Sequence, residues 1–114
     1  MHGEQKPPAR SAHGSFMYDN CLHILGGYPG PTMDLWKLSG VEPGGAGGQW
    51  QRLVTKGDND EGNVPKERYQ FSAVEYKGRV YVYGGYAKLG SKNLKDLWGL
   101  DLGGGGGIWR LLHK

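Results

Sequence analysis

The amino-acid sequence predicts an all-β chain made of two copies of one four-stranded antiparallel sheet. Two stretches point to this first: residues 22–28 read LHILGGY and residues 80–86 read VYVYGGY. Around each lie further short runs rich in Val, Leu, Tyr and Trp, bounded by Gly, Pro, Asn and Asp, which is the pattern of strands and turns. No segment carries a convincing 3.6-residue apolar period, so no helix is expected.

The strands follow in order. In the first unit, 15–18 (SFMY) is followed by the turn Asp19-Asn20 and returns as 21–25 (CLHIL). Gly26-Gly27 ends that strand, and 35–38 (LWKL) and 50–54 (WQRLV) complete the sheet. In the second unit, 71–76 (FSAVEY) turns at Lys77-Gly78 into 79–83 (RVYVY). Gly84-Gly85 opens a loop to 97–102 (LWGLDL), and 108–112 (IWRLL) is the fourth strand. A two-residue turn ending in Asn or Gly is a hairpin signal. Glycine where strand two ends permits positive φ and close backbone approach.

The duplication is quantitative. Gly26-Gly27 matches Gly84-Gly85 at 84 − 26 = 58, and the same offset pairs Pro7 with Pro65, Arg10 with Arg68, Tyr18 with Tyr76 and Tyr28 with Tyr86. Asp34-Leu35-Trp36 matches Asp96-Leu97-Trp98 at 96 − 34 = 62, and Trp50 matches Trp109 at 109 − 50 = 59. An ordered series of this length marks an internal repeat. The units divide as a tail at 1–6, a first repeat at 7–54, a polar linker at 55–64 and a second repeat at 65–114.

A unit of this length with Pro-x-x-Arg, Gly-Gly after strand two, Asp-Leu-Trp at strand three and Trp in strand four resembles the kelch repeat, the blade of a kelch β-propeller. The resemblance covers about 7–54 and 65–112. It implies two four-stranded antiparallel kelch blades of an incomplete β-propeller, packed face to face. Two departures stand out: the strand-one His of many kelch repeats is His13 here but Phe71 in the second unit, and glycines are inserted before each late Trp. Neither alters the four-strand plan.

Composition narrows the function classes. Fourteen Lys and Arg against eleven Asp and Glu give +3, and the basic residues are spread along the chain rather than clustered, so no nucleic-acid partner is expected. No apolar run approaches the roughly 20 residues of a membrane helix, and MHGEQKPPAR lacks the apolar core of a secretory signal. The single cysteine, Cys21, allows no internal disulfide and fits a reducing, cytoplasmic or nuclear setting. Glycine is the outlier at 22 of 114 residues, against a usual ~7%. Nine glycines lie in the tracts GGAGG (44–48) and GGGGG (103–107), which read as loop insertions.

No catalytic, metal or cofactor site is expected. Cys21 and His23 share one side of a strand, but no third ligand has diagnostic spacing. There is no nucleophile elbow and no phosphate loop. Some kelch propellers are oxidases, so the alternative to a binding protein is part of such an enzyme whose catalytic residues lie on other blades.

Binding is expected on one rim. In a four-stranded meander, the segment leading into strand one and the loop from strand two to three share a rim. That rim carries Arg10, Ser11, Tyr28, Thr32, Arg68, Tyr69, Gln70, Tyr86, Lys88, Lys92 and Asn93. Aromatic residues and arginines favour interaction hot spots. Arg10 and Arg68 recur in both units, which favours a structural role, bonded to loop carbonyls or to the Asp that opens strand three. Residues that differ between units, Ser11 against Tyr69 and Ala12 against Gln70, are better placed to confer specificity. Kelch propellers of this look often act as adaptors, including ubiquitin-ligase substrate receptors. The partners expected are a protein or peptide on this rim, and further kelch blades or a second copy on the outer sheet faces.

Overall fold

The computed structural model describes residues 6–28, 33–41, 43–45, 47–58, 63–87, 93–103 and 106–114. They form ten strands and no helix: β1 Gly14–Tyr18, β2 Cys21–Leu25, β3 Leu35–Ser39, β4 Gln49–Gly57, β5 Arg68–Tyr69, β6 Ser72–Tyr76, β7 Arg79–Tyr83, β8 Tyr86–Ala87, β9 Leu97–Gly103 and β10 Gly106–His113. β1 to β4 form one antiparallel meander, and β6, β7, β9 and β10 form the other. Both expected hairpins are present. Asp19 and Asn20 have φ of 55° and 62°, and Lys77 and Gly78 have 52° and 85°, the left-handed pair that a tight hairpin turn requires.

One core joins the two sheets: Phe16, Leu25 and Leu35 from the first, with Val80, Val82, Trp98, Leu100 and Trp109 from the second. Each such side chain removed from water contributes about 1.5–3 kcal/mol. The faces used are not equivalent. Phe16, Leu25 and Leu35 match Val74, Tyr83 and Leu97 by the repeat offsets, yet Val74 and Tyr83 are 61% and 51% exposed. Conversely, Val80, Val82, Trp98, Leu100 and Trp109 match Leu22, Ile24, Trp36, Leu38 and Trp50, on the face of the first unit that points away from the second. The units therefore stack front to back, in the same orientation.

The outer faces differ in exposure. The second unit's front face is bare, with Val74, Tyr76 and Tyr83 in solvent. On the first unit's back face, Met17 is exposed but Ile24 and Trp36 are buried. Gly48 lies against both Val41 and Leu38, so the β3–β4 loop folds back beside that face.

Two features depart from the sequence-based expectation. β4 continues three residues past Val54, into the segment read as linker, and pairs in parallel with β10 from Gly106↔Val54 to Trp109↔Gly57. The sheets thus join at their fourth strands in the order β1-β2-β3-β4-β10-β9-β7-β6. The second glycine tract also corrects its reading as a loop insertion, because Gly103 ends β9 and Gly106-Gly107 opens β10. A Cβ on Gly106 would sit 2.6 Å from the Val54 carbonyl oxygen, and one on Gly107 2.6 Å from Leu100 Cδ1. The glycines let the two fourth strands approach.

The repeated Gly-Gly has a direct explanation. All four glycines have positive φ, and the second of each pair is the one crowded by backbone. A Cβ on Gly27 would lie 2.9 Å from Ser11 O, and one on Gly85 2.7 Å from Tyr69 O, at matching places in the two units. Gly85→Val will therefore cost more than the ~1 kcal/mol of a propensity change. Denaturant unfolding checks this, and a loss within about 0.5 kcal/mol, the range of a neutral surface change, would contradict it.

Candidate functional site

The rim is built the same way twice. In the first unit Ser11 N donates to Tyr28 O at 2.9 Å, and Tyr28 N to Ser11 O at 2.8 Å. In the second the same positions form the short ladder Tyr69↔Tyr86 and Arg68↔Ala87. The chain then turns into strand one through Ala12 and Gln70, both at φ 55°. Gln70 N donates to Ala12 O at 2.9 Å, which stitches the two units together where each chain segment approaches its first strand.

Below this rim each unit carries a matching arginine–aspartate pair. Arg10 donates from Nη1 to Asp34 Oδ1 at 2.7 Å and to Gly26 O at 3.0 Å, and from Nη2 to Asp34 Oδ2 at 3.1 Å. Arg68 repeats the pattern with Asp96 at 2.8 and 3.0 Å and Gly84 O at 3.2 Å. The indoles of Trp36 and Trp98 donate to the same aspartates at 2.8 and 2.7 Å. Arginine's planar fork suits this paired recognition. These contacts tie together the approach to strand one, the end of strand two and the start of strand three. Arg68 is 1% exposed and so cannot meet a partner, and Arg10 is mostly buried against Asp34. The structure thus places both arginines in brackets beneath the rim, bonded to an aspartate and a strand-end carbonyl.

Above these brackets lies a group of three tyrosines. Tyr28 and Tyr86 are 49% and 38% exposed, and Tyr69 lies between them. The Tyr28 and Tyr69 rings are 5.4 Å apart at 64°, and those of Tyr69 and Tyr86 are 5.8 Å apart at 34°. Two of these rings are duplicated, but Tyr69 stands where the first unit has Ser11. Ser11, Gln70 and Asn93 are exposed beside them, with Asn93 bridged to Tyr86. Thr32, Lys88 and Lys92 lie outside the described residues.

Two other concavities lie between the units. One, of about 600 Å³, runs beside Arg52–Thr55, Val64, Pro65, Glu67 and Trp109. The other, of about 170 Å³, is lined by Tyr18, Asp19, His23, Lys37 and Gln51, among others. His23 is buried, stacks on Phe16 at 5.0 Å, and donates from Nδ1 to the Cys21 carbonyl at 3.0 Å. Among the described residues no group of three or more His, Cys, Asp or Glu could hold a metal.

The titrating groups set an acid profile. Burial is the largest influence on His23 and holds its pKa below the usual 6.5. The Arg68 guanidinium holds Asp96 below 3.8, and Arg79 does the same for Asp101, helped by Arg110. In each case the unfolded chain takes up the proton first, so stability rises with pH. Stability will be level above pH 6.5, fall as His23 protonates in the unfolded state, and fall again below about pH 3.8. His23→Gln will remove the first decline and leave the second. Midpoints measured from pH 7.5 to pH 3 (roughly that window) check it, and a first decline that persists in His23→Gln would contradict it.

Comparison with known proteins agrees with this architecture. The Kelch motif matches residues 67–111. No curated protein matches the sequence. Among solved structures, the chain is similar to YjhT, with a TM-score of 0.67 at 18% identity, over 95% of this chain and 29% of that one. The chain thus spans under a third of that neighbour's length, and the likeness concerns the fold alone. The chain is thus all-β with a propeller-like fold, and its second unit carries a Kelch motif whose ordered signature is repeated in the first.

Proposed function

We propose that the chain is a non-enzymatic protein-interaction module, an adaptor surface that docks a protein or peptide on the rim formed by the approaches to strand one and the strand-two to strand-three loops. The observation that carries this reading is the row of exposed Tyr28 and Tyr86 with half-buried Tyr69 between them, set over arginines already paired with aspartate. Tyrosine offers a large rigid ring at low entropic cost, with a hydroxyl for orientation. Tyr69 is the specificity residue, because it is what one unit has and the other lacks. The bare front face of the second unit, with Val74, Tyr76 and Tyr83, supports a further contact, packing against another blade of the same kind or a second copy.

The test is selection of a random displayed peptide library on the whole chain, followed by titration of the enriched peptides. Tyr28→Ala and Tyr86→Ala will each weaken binding about tenfold or more, as truncation of an aromatic anchor does. Enriched peptides that bind both variants like the wild type would contradict the rim reading.

A further inference from the structure

The two outward sheet faces of the chain are the two halves of one interface. We propose that copies of the chain associate head to tail, with the front face of one copy's second unit packed on the back face of the next copy's first unit. This rests on the reading of the bare front face given above and is independent of the rim.

The same interface already exists once within the chain, where the first unit's front face lies on the second unit's back face. The repeat offsets carry each half to the outside. Exposed Val74 and Tyr83 stand where Phe16 and Leu25 do, and half-buried Leu22, Leu38 and Trp50 stand where Val80, Leu100 and Trp109 do. Units that stack with one orientation leave a front face bare at one end and a back face at the other, and each fits the opposite face of a like unit. Arg79, Asp101 and Arg110 also lie on the outer front face, but they are bonded to one another, so a neighbour meets a network already paired.

The fourth strands carry a second, independent sign. Gly47-Gly48 precede β4 as Gly106-Gly107 open β10, at the offset 106 − 47 = 59 that also pairs Trp50 with Trp109. Each pair meets the matching leucine of its own unit: a Cβ on Gly107 would lie 2.6 Å from Leu100 Cδ1, and one on Gly48 3.4 Å from Leu38 Cδ1. The pairs differ in their neighbour from the preceding unit. The Val54 carbonyl closes on Gly106, whereas a Cβ on Gly47 would meet nothing among the described residues within 4 Å. Accordingly β10 begins at Gly106, paired in parallel with β4, while β4 begins two residues later in its own repeat, at Gln49. His113 stands where Val54 does, at 113 − 54 = 59, so the end of β10 in another copy supplies the strand that Gly47 lacks.

Sedimentation velocity of the whole chain and two variants tests this. The wild type will pass from one chain to larger species as concentration rises roughly a hundredfold. Tyr83→Lys places a charge in the front face and Trp50→Lys in the back face, so each alone will stay a monomer. An equimolar mixture will form a dimer and stop there, because one intact face of each kind remains to pair. Leu22→Lys takes the place of Trp50→Lys should that variant lose its dispersed proton spectrum. A wild type that stays monomeric throughout, or a mixture that does not associate, would overturn the proposal. So would association of the Trp50→Lys variant alone, which would make the contact front to front. Peptides selected on the rim will bind monomeric Tyr83→Lys as they bind the wild type, so a failed association leaves the rim reading standing and a failed selection leaves the association standing.

Discussion

Replacing Arg68 with alanine will destabilise the chain by about 3–5 kcal/mol, a large share of the roughly 5–15 kcal/mol that holds an ordinary domain. Four hydrogen bonds end on this side chain, two to Asp96 and one each to the Gly84 and Lys66 carbonyls. The guanidinium is fully buried, while Asp96 is 26% exposed. Truncation leaves the Asp96 carboxylate with only the Trp98 indole and the Gly84 carbonyl without its side-chain donor, which costs more than the pair itself contributes. Lysine will not rescue, because one ammonium cannot span both carboxylate oxygens and the carbonyl. Arg79→Ala is the contrast. Its pair with Asp101 is about one third exposed on both sides, so its loss should cost no more than about 1 kcal/mol. Similar midpoints for Arg68→Ala and Arg79→Ala would show that the rim bracket is not what fixes strand three.

Trp109→Ala will cost about 3–5 kcal/mol, and its counterpart Trp50→Ala about 1–2 kcal/mol. The two indoles hold the same place in the repeat, so a purely local account would treat them alike. Stacking separates them. Trp109 is 1% exposed between the sheets and meets Trp98 edge-on at 6.3 Å, whereas Trp50 is partly exposed on the outward back face. Denaturant unfolding of the two variants decides. Equal losses would contradict front-to-back stacking of the units.

Much of this was legible in the sequence because the chain states it twice. The β-rich runs, their turn residues and the repeat offsets together place the eight main strands, both hairpin turns and the Gly-Gly bends. Repetition also indicated Arg10, Arg68, Asp34 and Asp96 as structural, and the structure joins them in two matching brackets. The extension of β4 was not legible, since Thr55-Lys56-Gly57 has no strand signature of its own and is held by the parallel partner β10. For the same reason the glycine tract read as a loop, because the need for glycine at Gly106 comes from the Val54 carbonyl, remote in sequence. The convergence of Tyr28, Tyr69 and Tyr86 was half legible. All three were assigned to one rim, but their ring contacts depend on the β5–β8 ladder, two residues long on each side.

The central claim is that recognition belongs to this rim and to the unit-specific Tyr69, while the duplicated arginine–aspartate brackets hold the fold. A proton–nitrogen correlation spectrum of the isotope-labelled chain, titrated with a library-selected peptide, tests it most directly. The account predicts peptide-induced shifts at Ser11, Tyr28, Gln70, Tyr86 and Ala87, and a Tyr69→Ser variant that keeps its dispersed spectrum but shows none of them. Shifts confined to the opposite rim, at Asp19, Asn20, Lys77 and Gly78, or undiminished shifts in Tyr69→Ser, would contradict it.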